Sequence, residues 1–323
     1  MSIFNRKRIL VTGASGFVGT NLVMKLLEYD CEIIGTFFNN PPSIENKKIK
    51  YLKCNLTNEL DCLRATENID YVIMCAANSS GAEVIEKEPL THLTPNIIMN
   101  SLMLAAAYKN NVKKFIFISS NTVYPLTDFP VTENDVNYQF FEKYHIVGWM
   151  KLFSEKMCAM YSEVINEKMS TLIIRPANLF GPYDKYSKKE SKVIAALVRR
   201  FAENENPLQV WGDGLDVKDF LYISDFIDAL ILGLEKNIIG IYNIASGTSI
   251  TIKDIVETLK KITNKQDLEV FYDKTKPSMI PVRLISNKKF QDAVDWKPKY
   301  NLSTALKETY DWYVNQNIVE LDK

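Results

Sequence analysis

The chain has 323 residues, of which 46% are hydrophobic and 24% are charged, with 12 glycines and 12 prolines. This composition is typical of a globular protein of one large domain or two closely joined domains, and it excludes disordered, collagen-like and low-complexity chains. The 39 lysines and arginines balance the 39 aspartates and glutamates. Because no overall positive field results, we expect neither a nucleic acid nor an anionic membrane as a partner.

Short apolar segments alternate with segments of helical periodicity in the first half of the chain. They predict six strands, at Arg8–Thr12, Cys31–Phe38, Tyr51–Leu56, Tyr71–Ala77, Lys114–Ser120 and Ser170–Pro176. A long helix is expected from about Val147 to Asn166, before the sixth strand. Since buried strands that alternate with helices form parallel sheets, the sequence predicts an α/β, Rossmann-like, doubly wound parallel sheet.

The regularity weakens after Pro176, where a polar loop, Gly181–Lys192, begins a different kind of segment. The elements predicted there are a helix at Val193–Glu203, a return strand around Phe220–Ile223, and helices at Phe226–Glu235 and Leu302–Tyr313. We predict a dinucleotide-binding domain at residues 1–177, with a returning segment near 215–245. Residues 178–214 and 246–323 are predicted to form a smaller, interleaved α/β substrate-binding lobe.

The cysteines give information on the cellular compartment. They are odd in number and show no C-x-x-C spacing: Cys31, Cys54, Cys62, Cys75 and Cys158. This pattern indicates free thiols in a reducing compartment, with neither a disulfide framework nor a zinc site. The N-terminal apolar run is too short for a signal peptide, and no segment has the roughly 18–20 apolar residues of a membrane span. We therefore predict a cytoplasmic protein.

A glycine-rich turn separates the first predicted strand from the first helix. Such a turn lets backbone N–H groups approach a pyrophosphate at a helix N-terminus, and its place between a buried strand and an amphipathic helix makes the signal strong. The residues expected to contact the cofactor are Gly13, Ser15, Gly16, Phe17, Val18 and Gly19.

The type of dinucleotide depends on the residues that follow the second strand. The segment Thr36 to Asn40, after the second strand, has neither an acidic residue for ribose hydroxyls nor a basic residue for a 2′-phosphate. Asn55, next to Leu56 after the third strand, could bind the adenine edge. The cofactor is NAD or NADP, and the lack of a nearby arginine slightly favours NAD.

The Gly-x-x-Gly-x-x-Gly spacing resembles the extended short-chain dehydrogenase/reductase family, which contains sugar-nucleotide epimerases, dehydratases and reductases. Further matches follow in order at Met74–Ala77, Asn96, Ser119–Pro125, Arg175–Pro182, Lys218–Asp225 and Tyr242–Gly247. Within the family, the segments at residues 181–201 and 276–284 look most like the GDP-fucose synthases. The resemblance implies a nucleotide-sugar substrate, a homodimer, and further cofactor contacts from Ala76, Ala77, Asn96, Lys151 and Pro176.

Catalysis in this family uses a serine, a tyrosine and a lysine, and the tyrosine exchanges a proton with the C4 oxygen of the sugar. Ser120 and Lys151 match the serine and the lysine. The tyrosine should stand four residues before Lys151, where this chain has Val147. Tyr144 could replace the phenol if the helix begins late or bulges at Gly148. His145 is another substitute, and both side chains could instead be surface or packing residues.

The resemblance to the GDP-fucose synthases also implies a cysteine and a histidine that exchange protons at C3 and C5. Thr122 and Lys192 stand at those positions here, so we expect this exchange to be absent. Water elimination is disfavoured as well, since the acidic residue that the family's dehydratases place beside the serine is missing.

The resemblance places several residues on the nucleotide sugar: Asn178, Lys192, Val193, Trp211, Lys218 and Arg283. Lys218 and Arg283 occupy diphosphate positions, although both could be solvated surface charges. Trp211 could flank the base or belong to the core of the lobe. The leading hypothesis is an oxidoreductase acting at C4 of a nucleotide sugar, as a 4-keto reductase, 4-dehydrogenase or 4-epimerase, with a GDP-sugar favoured. The alternative is a non-catalytic binding protein that lost the tyrosine.

Overall fold

The computed structural model describes residues 3–79, 88, 90–188, 190–276 and 279–316. Its main sheet consists of β1 Lys7–Thr12, β2 Cys31–Phe37, β3 Ile49–Lys53, β4 Tyr71–Met74, β5 Lys114–Ile118, β6 Ser170–Pro176 and β11 Gly240–Ile244. These seven strands are ordered β11-β6-β5-β4-β1-β2-β3, and every neighbouring pair is parallel. The predicted doubly wound parallel sheet is thus confirmed.

Helices cover both faces of this sheet. They are α1 Phe17–Leu26, α2 Glu59–Ala65, α3 Leu90–Lys109, α4 His145–Ala159, α5 Val193–Ala202, α6 Ile223–Glu235, α7 Ile252–Ile262, α8 Lys288–Val294 and α9 Leu302–Asn315. Ile9 and Val11 of β1 share one core cluster with residues of α1 and α6. Leu10 belongs to a second cluster, with residues of α2 and α3. Because both faces are covered, the central strands are apolar at successive positions.

Among the described residues, seven shorter strands lie outside the main sheet: β7 Asn178–Phe180, β8 Leu208–Trp211, β9 Val217–Lys218, β10 Phe220–Tyr222, β12 Ile250–Thr251, β13 Val270–Asp273 and β14 Val282–Arg283. They form small sheets in the orders β10-β7, β12-β9-β14 and β13-β8. The chain returns to the main sheet through β11, within the predicted returning segment. The limits of the two predicted units stay a prediction.

Several predicted boundaries differ from the observed ones. The predicted return strand corresponds to β10, which pairs with β7 rather than with the main sheet, because β7 continues directly from β6. The long helix begins at His145, two residues before the predicted start, and gives way after Ala159 to a π-helical turn at Met160–Val164. The strands β2 to β5 end one to three residues earlier than predicted, since the chain there leaves the sheet to form loops at its carboxyl edge.

Candidate functional site

The glycine-rich turn follows β1 and leads into α1. Gly13 has a left-handed φ of 62°, and a Cβ at this residue would lie 2.8 Å from the Cα of Ala76. A Cβ at Gly19 would overlap the carbonyl oxygen of Gly13. The N–H of Gly16 donates to that same oxygen at 2.9 Å and closes the turn. The backbone is therefore packed so tightly that side chains are excluded at residues 13 and 19.

The N-terminus of α1 is open to an anionic ligand. Gly16, which precedes the helix, is exposed, and no side chain caps the helix. The first turn contains no acidic residue, so the N–H groups of Phe17 and Val18, which have no partner inside the helix, keep their partial positive charge. The backbone amides here are bare, and the absence of side chains on the neighbouring glycines leaves space beside them. Such a site fits the pyrophosphate of a dinucleotide. Ser15, half-buried, lies within the same turn.

The loop after β4 forms the next wall of this site. Ala76 donates its N–H to the Thr12 hydroxyl at 3.1 Å, and Ala77 is exposed. Asn96, on α3, accepts from the N–H of Asn78 at 2.8 Å and donates to its carbonyl at 2.9 Å. The structure thus gives Asn96 a role in holding this loop, and its direct contact with the cofactor stays a prediction.

The ends of β2 and β3 lie on the other side of the turn. The side-chain oxygen of Asn55 accepts from the N–H and the hydroxyl of Thr57, at 3.1 and 2.7 Å. Its amide nitrogen is the part that is left to bind an adenine edge. Leu56 is 5% exposed, so a predicted contact with the cofactor would have to use its backbone.

Lys151 lies at the carboxyl edge of the sheet. Its ammonium donates to the carbonyl of Ile118 at 2.8 Å and lies 5.0 Å from the centre of the Phe117 ring. Burial lowers the pKa of Lys151 to about 8, although the carboxylate of Glu155 opposes this shift. Burial raises the pKa of Cys75, just after β4, to about 12, and the Lys151 ammonium opposes that shift. The ammonium is therefore positioned between the ends of β4 and β5.

Ser120 follows β5 by two residues and begins the 3-10 turn Asn121–Val123, and its side chain accepts from the N–H of Thr122 at 3.2 Å. This turn packs on α4 at Gly148, where a Cβ would lie 2.7 Å from the Thr122 carbonyl oxygen. The hydroxyl of Thr122 is buried and has no hydrogen-bond partner in the described part of the chain. Ser120, Thr122 and Lys151 therefore meet at one edge of the sheet. Pro176, another predicted cofactor contact, ends β6 at the same edge.

The predicted substitutes for the missing phenol lie at the start of α4. This helix is continuous through Gly148, so it has no bulge, and Tyr144 precedes it in the 3-10 turn Glu142–Tyr144. Burial raises the pKa of Tyr144 to about 12, while the guanidinium of Arg283 opposes this shift. Tyr144 is thus influenced by a group of the second half of the chain. His145 is exposed and packs against the Phe140 ring, at a centroid distance of 5.9 Å.

Arg283 and Lys218 are not the solvated surface charges that the sequence left open. Arg283 is fully buried, and its guanidinium donates to the carbonyls of Pro125 and Tyr124, at 2.8 and 3.0 Å. Burial lowers the pKa of Arg283 to about 10. Lys218 forms an ion pair with Asp216 at 3.0 Å, and its side chain is 11% exposed. The structure therefore shows Arg283 supporting the segment that follows Ser120 and Thr122, and its contact with a diphosphate stays a prediction.

The other predicted substrate residues are spread over the second half of the chain. Asn178 donates its side-chain amide to the carbonyl of Asp219 at 2.9 Å, which ties β7 to β10. Trp211 ends β8 and is 38% exposed, so it is not part of the lobe core, and the Lys276 ammonium lies 5.9 Å from its ring centre. Val193, the first residue of α5, is half-buried.

Lys192 has an unexpected position. It immediately precedes α5 and is exposed, and its ammonium lies 5.8 Å from the centre of the Phe17 ring. Phe17 is the first residue of α1. The structure therefore places Lys192 beside the glycine-rich turn.

A buried polar network beneath this edge was missed in the sequence. Glu155 accepts from the Ser119 hydroxyl at 2.5 Å and pairs with Arg175 at 2.7 Å, and both charged side chains are at most 3% exposed. Arg175 also donates to the Tyr124 phenol at 2.9 Å, and that phenol donates to Asn243 at 2.5 Å. The charge of Arg175 inside the apolar strand β6 is the one signal that could have indicated such a network, since a buried charge needs a partner.

The fold and the glycine-rich turn together define the class of Rossmann-like dinucleotide-binding proteins, with a serine and a lysine at the carboxyl edge of the sheet. Residues 9–245 match the family described as the NAD dependent epimerase/dehydratase family, and the chain belongs to this family. The family resemblance predicted from the motifs is thereby confirmed. No helix within the described residues combines the length and apolar character needed to cross a membrane.

Individual relatives cover almost the whole chain. A probable GDP-L-fucose synthase 1 of Oryza sativa subsp. japonica is 29% identical, over 98% of this chain and 94% of the relative. A GDP-L-colitose synthase of Yersinia pseudotuberculosis is 28% identical, over 96% of this chain and 98% of the relative. The solved UDP-glucuronic acid 4-epimerase of Bacillus cereus, in complex with UDP-glucuronic acid and NAD, is 27% identical with a TM-score of 0.84, over 96% of this chain and 99% of that one.

Proposed function

We propose that the protein is an NAD(P)-dependent oxidoreductase that acts at C4 of a nucleotide sugar, as a 4-keto reductase, a 4-dehydrogenase or a 4-epimerase. The observation that carries this proposal is the position of the Lys151 ammonium, which lies 2.8 Å from the carbonyl of Ile118. Ile118 is two residues before Ser120, at the carboxyl edge of the sheet that also bears the glycine-rich turn. In open parallel α/β sheets this edge is where ligands bind.

Each residue of this edge has a role in the proposal. The bound nicotinamide would supply or accept the hydride. The Ser120 hydroxyl would bind the C4 oxygen and exchange with it the proton that balances the hydride, with water restoring the hydroxyl, because Val147 carries no proton to transfer. The Lys151 ammonium would hold the ribose of the cofactor. Thr122 contributes a buried hydroxyl beside Ser120 that has no partner in the described residues. Glu155 and Arg175 fix Ser119 and thereby the direction of the chain at Ser120.

We infer a GDP-sugar as the substrate and NAD as the cofactor. The relatives named as GDP-L-fucose and GDP-L-colitose synthases support the first choice. The choice of NAD is supported by the surroundings of β3. The Arg64 guanidinium there pairs with Asp61 at 2.9 Å and donates to the Lys53 carbonyl at 3.1 Å. It is thus engaged within the chain and is not directed to the 2′-phosphate of NADP. Dissociation constants for NADH and NADPH, measured side by side, test the choice of cofactor.

We further propose a cytoplasmic location, which is supported by five free cysteines. Cell fractionation should recover the chain with cytosolic marker proteins. Recovery from an oxidising compartment would contradict this proposal, since thiols persist in reducing compartments.

To test the activity, the protein is incubated with a GDP-4-keto-6-deoxyhexose and NADH in deuterated water, and the oxidation of NADH and the deuterium content of the sugar are measured. We expect slow oxidation of NADH and no deuterium at C3 or C5, because neither the Thr122 hydroxyl nor Lys192, beside Phe17, replaces a cysteine and histidine pair at these carbons. Mass spectrometry and NMR of the sugar report both outcomes. A GDP-L-fucose synthase run in parallel is the positive control, and deuterium uptake at C5 by this protein would contradict the prediction.

A second candidate function is favoured by Val147. This residue lies one helical turn before Lys151 on α4 and cannot transfer a proton. With Tyr144 outside the helix, the protein could bind both the dinucleotide and the nucleotide sugar without turning them over. Binding of both ligands with no detectable hydride transfer would select this function.

We propose that two copies of the chain associate through α3 and α4. Their shared surface has exposed apolar side chains, with Ile98 38%, Trp149 43% and Phe153 49% exposed. A cleft between the helices is lined by Leu93, Thr94, Ile97, Ile98, Trp149, Met150 and Phe153. Contiguous apolar surface of this kind is typical of an interface.

Substituting both Trp149 and Phe153 by glutamate should convert a dimer to a monomer, because four carboxylates would then be buried in a symmetric interface. Analytical ultracentrifugation measures the change. Phe271→Glu is the matched control, since Phe271 is 54% exposed but lies on β13. A wild-type chain that sediments as a monomer at every concentration would refute the proposal.

A further inference from the structure

The polar loop Gly181–Lys192 connects the two walls of the dinucleotide site. On one side, the Asn21 side chain of α1 donates to the Pro182 carbonyl at 3.0 Å. On the other side, the Lys185 ammonium donates to the carbonyl of Ser79, in the loop after β4, at 2.8 Å. The loop therefore spans from the first helix to the loop that packs against Gly13.

Lys192, the last residue of this loop, lies beside the first residue of α1. Its ammonium lies 5.8 Å from the centre of the Phe17 ring, within the usual range of a cation–π contact. Phe17 begins α1, so its backbone N–H belongs to the open helix terminus described above. The ammonium is thus near the place where the glycines leave room for a pyrophosphate.

The charge of Lys192 is available for a ligand. Within the described part of the chain Lys192 forms no salt bridge, and its side chain is exposed. Asp184, in the same loop, accepts the N–H of Lys185 at 2.8 Å. Burial raises the pKa of Asp184, and the Lys192 ammonium opposes that shift. A carboxylate near the same point would repel a diphosphate, while the ammonium attracts it.

We propose that Lys192 binds the diphosphate of the dinucleotide cofactor, and not the nucleotide sugar on which the sequence placed it. The inference rests on the proposed function in that it requires a dinucleotide on the glycine-rich turn. The N–H groups of α1 would hold one side of the diphosphate, and the Lys192 ammonium would approach it from the second half of the chain.

The test measures NADH binding by the whole chain without any nucleotide sugar, by isothermal titration calorimetry. Lys192→Met should weaken binding about tenfold, the lower end of the range for a hydrogen bond to a charged group, because the site is exposed. Asp184→Asn should tighten binding about threefold, because a repulsive charge is removed while the bond from the Lys185 N–H is kept. A general loss of structure would weaken NADH binding in both variants, so changes in affinity of opposite sign are not expected from it.

Lys188→Met is the matched control, since Lys188 is an exposed lysine of the same loop, and it should leave the dissociation constant unchanged. The salt dependence is a second readout: the slope of log Kd against log salt should be smaller for Lys192→Met than for the wild type, because one cationic contact is lost. Thermal denaturation of each variant shows whether the fold is kept.

Two results overturn the inference in distinguishable ways. If the wild type binds NADH and Lys192→Met binds it equally well but loses affinity for GDP, Lys192 belongs to the substrate site and the proposed function stands. If the wild type binds neither NADH nor NADPH, the inference and the proposed function both fail.

Discussion

Val147→Tyr is expected to raise the rate of hydride exchange at C4 by about a hundredfold or more, the usual scale of a general acid or base. The substitution restores a phenol one helical turn before Lys151, on an α4 that is continuous from His145 to Ala159. The Lys151 ammonium, bonded to the carbonyl of Ile118, is then placed to lower the pKa of the new phenol. Nicotinamide absorbance in the presence of a GDP-4-keto sugar follows the reaction.

Val147→Phe is the matched control, because it adds the same ring without the hydroxyl. Tyr144→Phe should change turnover by less than about threefold, well below the cost of losing a general acid. The reason is that Tyr144 precedes α4 and is influenced by Arg283 and Asp216, in the second half of the chain. A hundredfold loss in Tyr144→Phe would instead make Tyr144 the proton carrier. Equal rates for Val147→Tyr and Val147→Phe would contradict the role of the phenol.

Gly16→Leu should weaken binding of NADH more than a hundredfold, on the order of 3 kcal/mol. Gly16 is exposed at the open terminus of α1, with a backbone φ of −89° that any residue can adopt, so the fold should tolerate a side chain there. The leucine side chain would fill the space that the pyrophosphate needs. Titration calorimetry measures the loss.

Gly16→Ala serves as the graded control and should weaken binding less, because a Cβ at this position meets only the Gly13 carbonyl oxygen, at 3.3 Å. Gly19 is unsuitable for this test, since a Cβ there overlaps the backbone and would damage the turn itself. Unchanged affinity in a folded Gly16→Leu protein would show that the dinucleotide does not use this turn.

The parts of the structure that follow from local sequence could be predicted. The turn from Gly13 to Gly19 needs residues without side chains, and the apolar runs of β1 and β4 to β6 are buried on both faces, so spacing and composition identify them. The strand β11 was not among the predicted strands, because its sequence, GIYNI, contains a glycine and a buried asparagine, Asn243. That asparagine is explained only by contacts with Tyr124, Val131 and Ser286, which are distant in sequence.

In the candidate site, too, the features that depend on local sequence could be predicted, and those that depend on distant contacts could not. Ser120 and Lys151 were found because the family spacing fixes them, and the structure brings both to one edge. The surroundings of charged residues could not be predicted, because a lysine or arginine has the same letter whether it is solvated or buried. Arg283 proved to be fully buried on the carbonyls of Tyr124 and Pro125, and Lys192 proved to lie beside Phe17. Both results depend on contacts between residues more than a hundred positions apart.

The strand β11 also has a consequence for synthesis on the ribosome. It pairs with β6 through five residues, and β6 is buried at six of its seven positions. Until residue 244 has been made, β6 is therefore an uncovered apolar edge that another nascent chain can pair with. A fragment that stops at residue 177 would keep that edge permanently, so cutting the chain after β6 does not release a self-sufficient half.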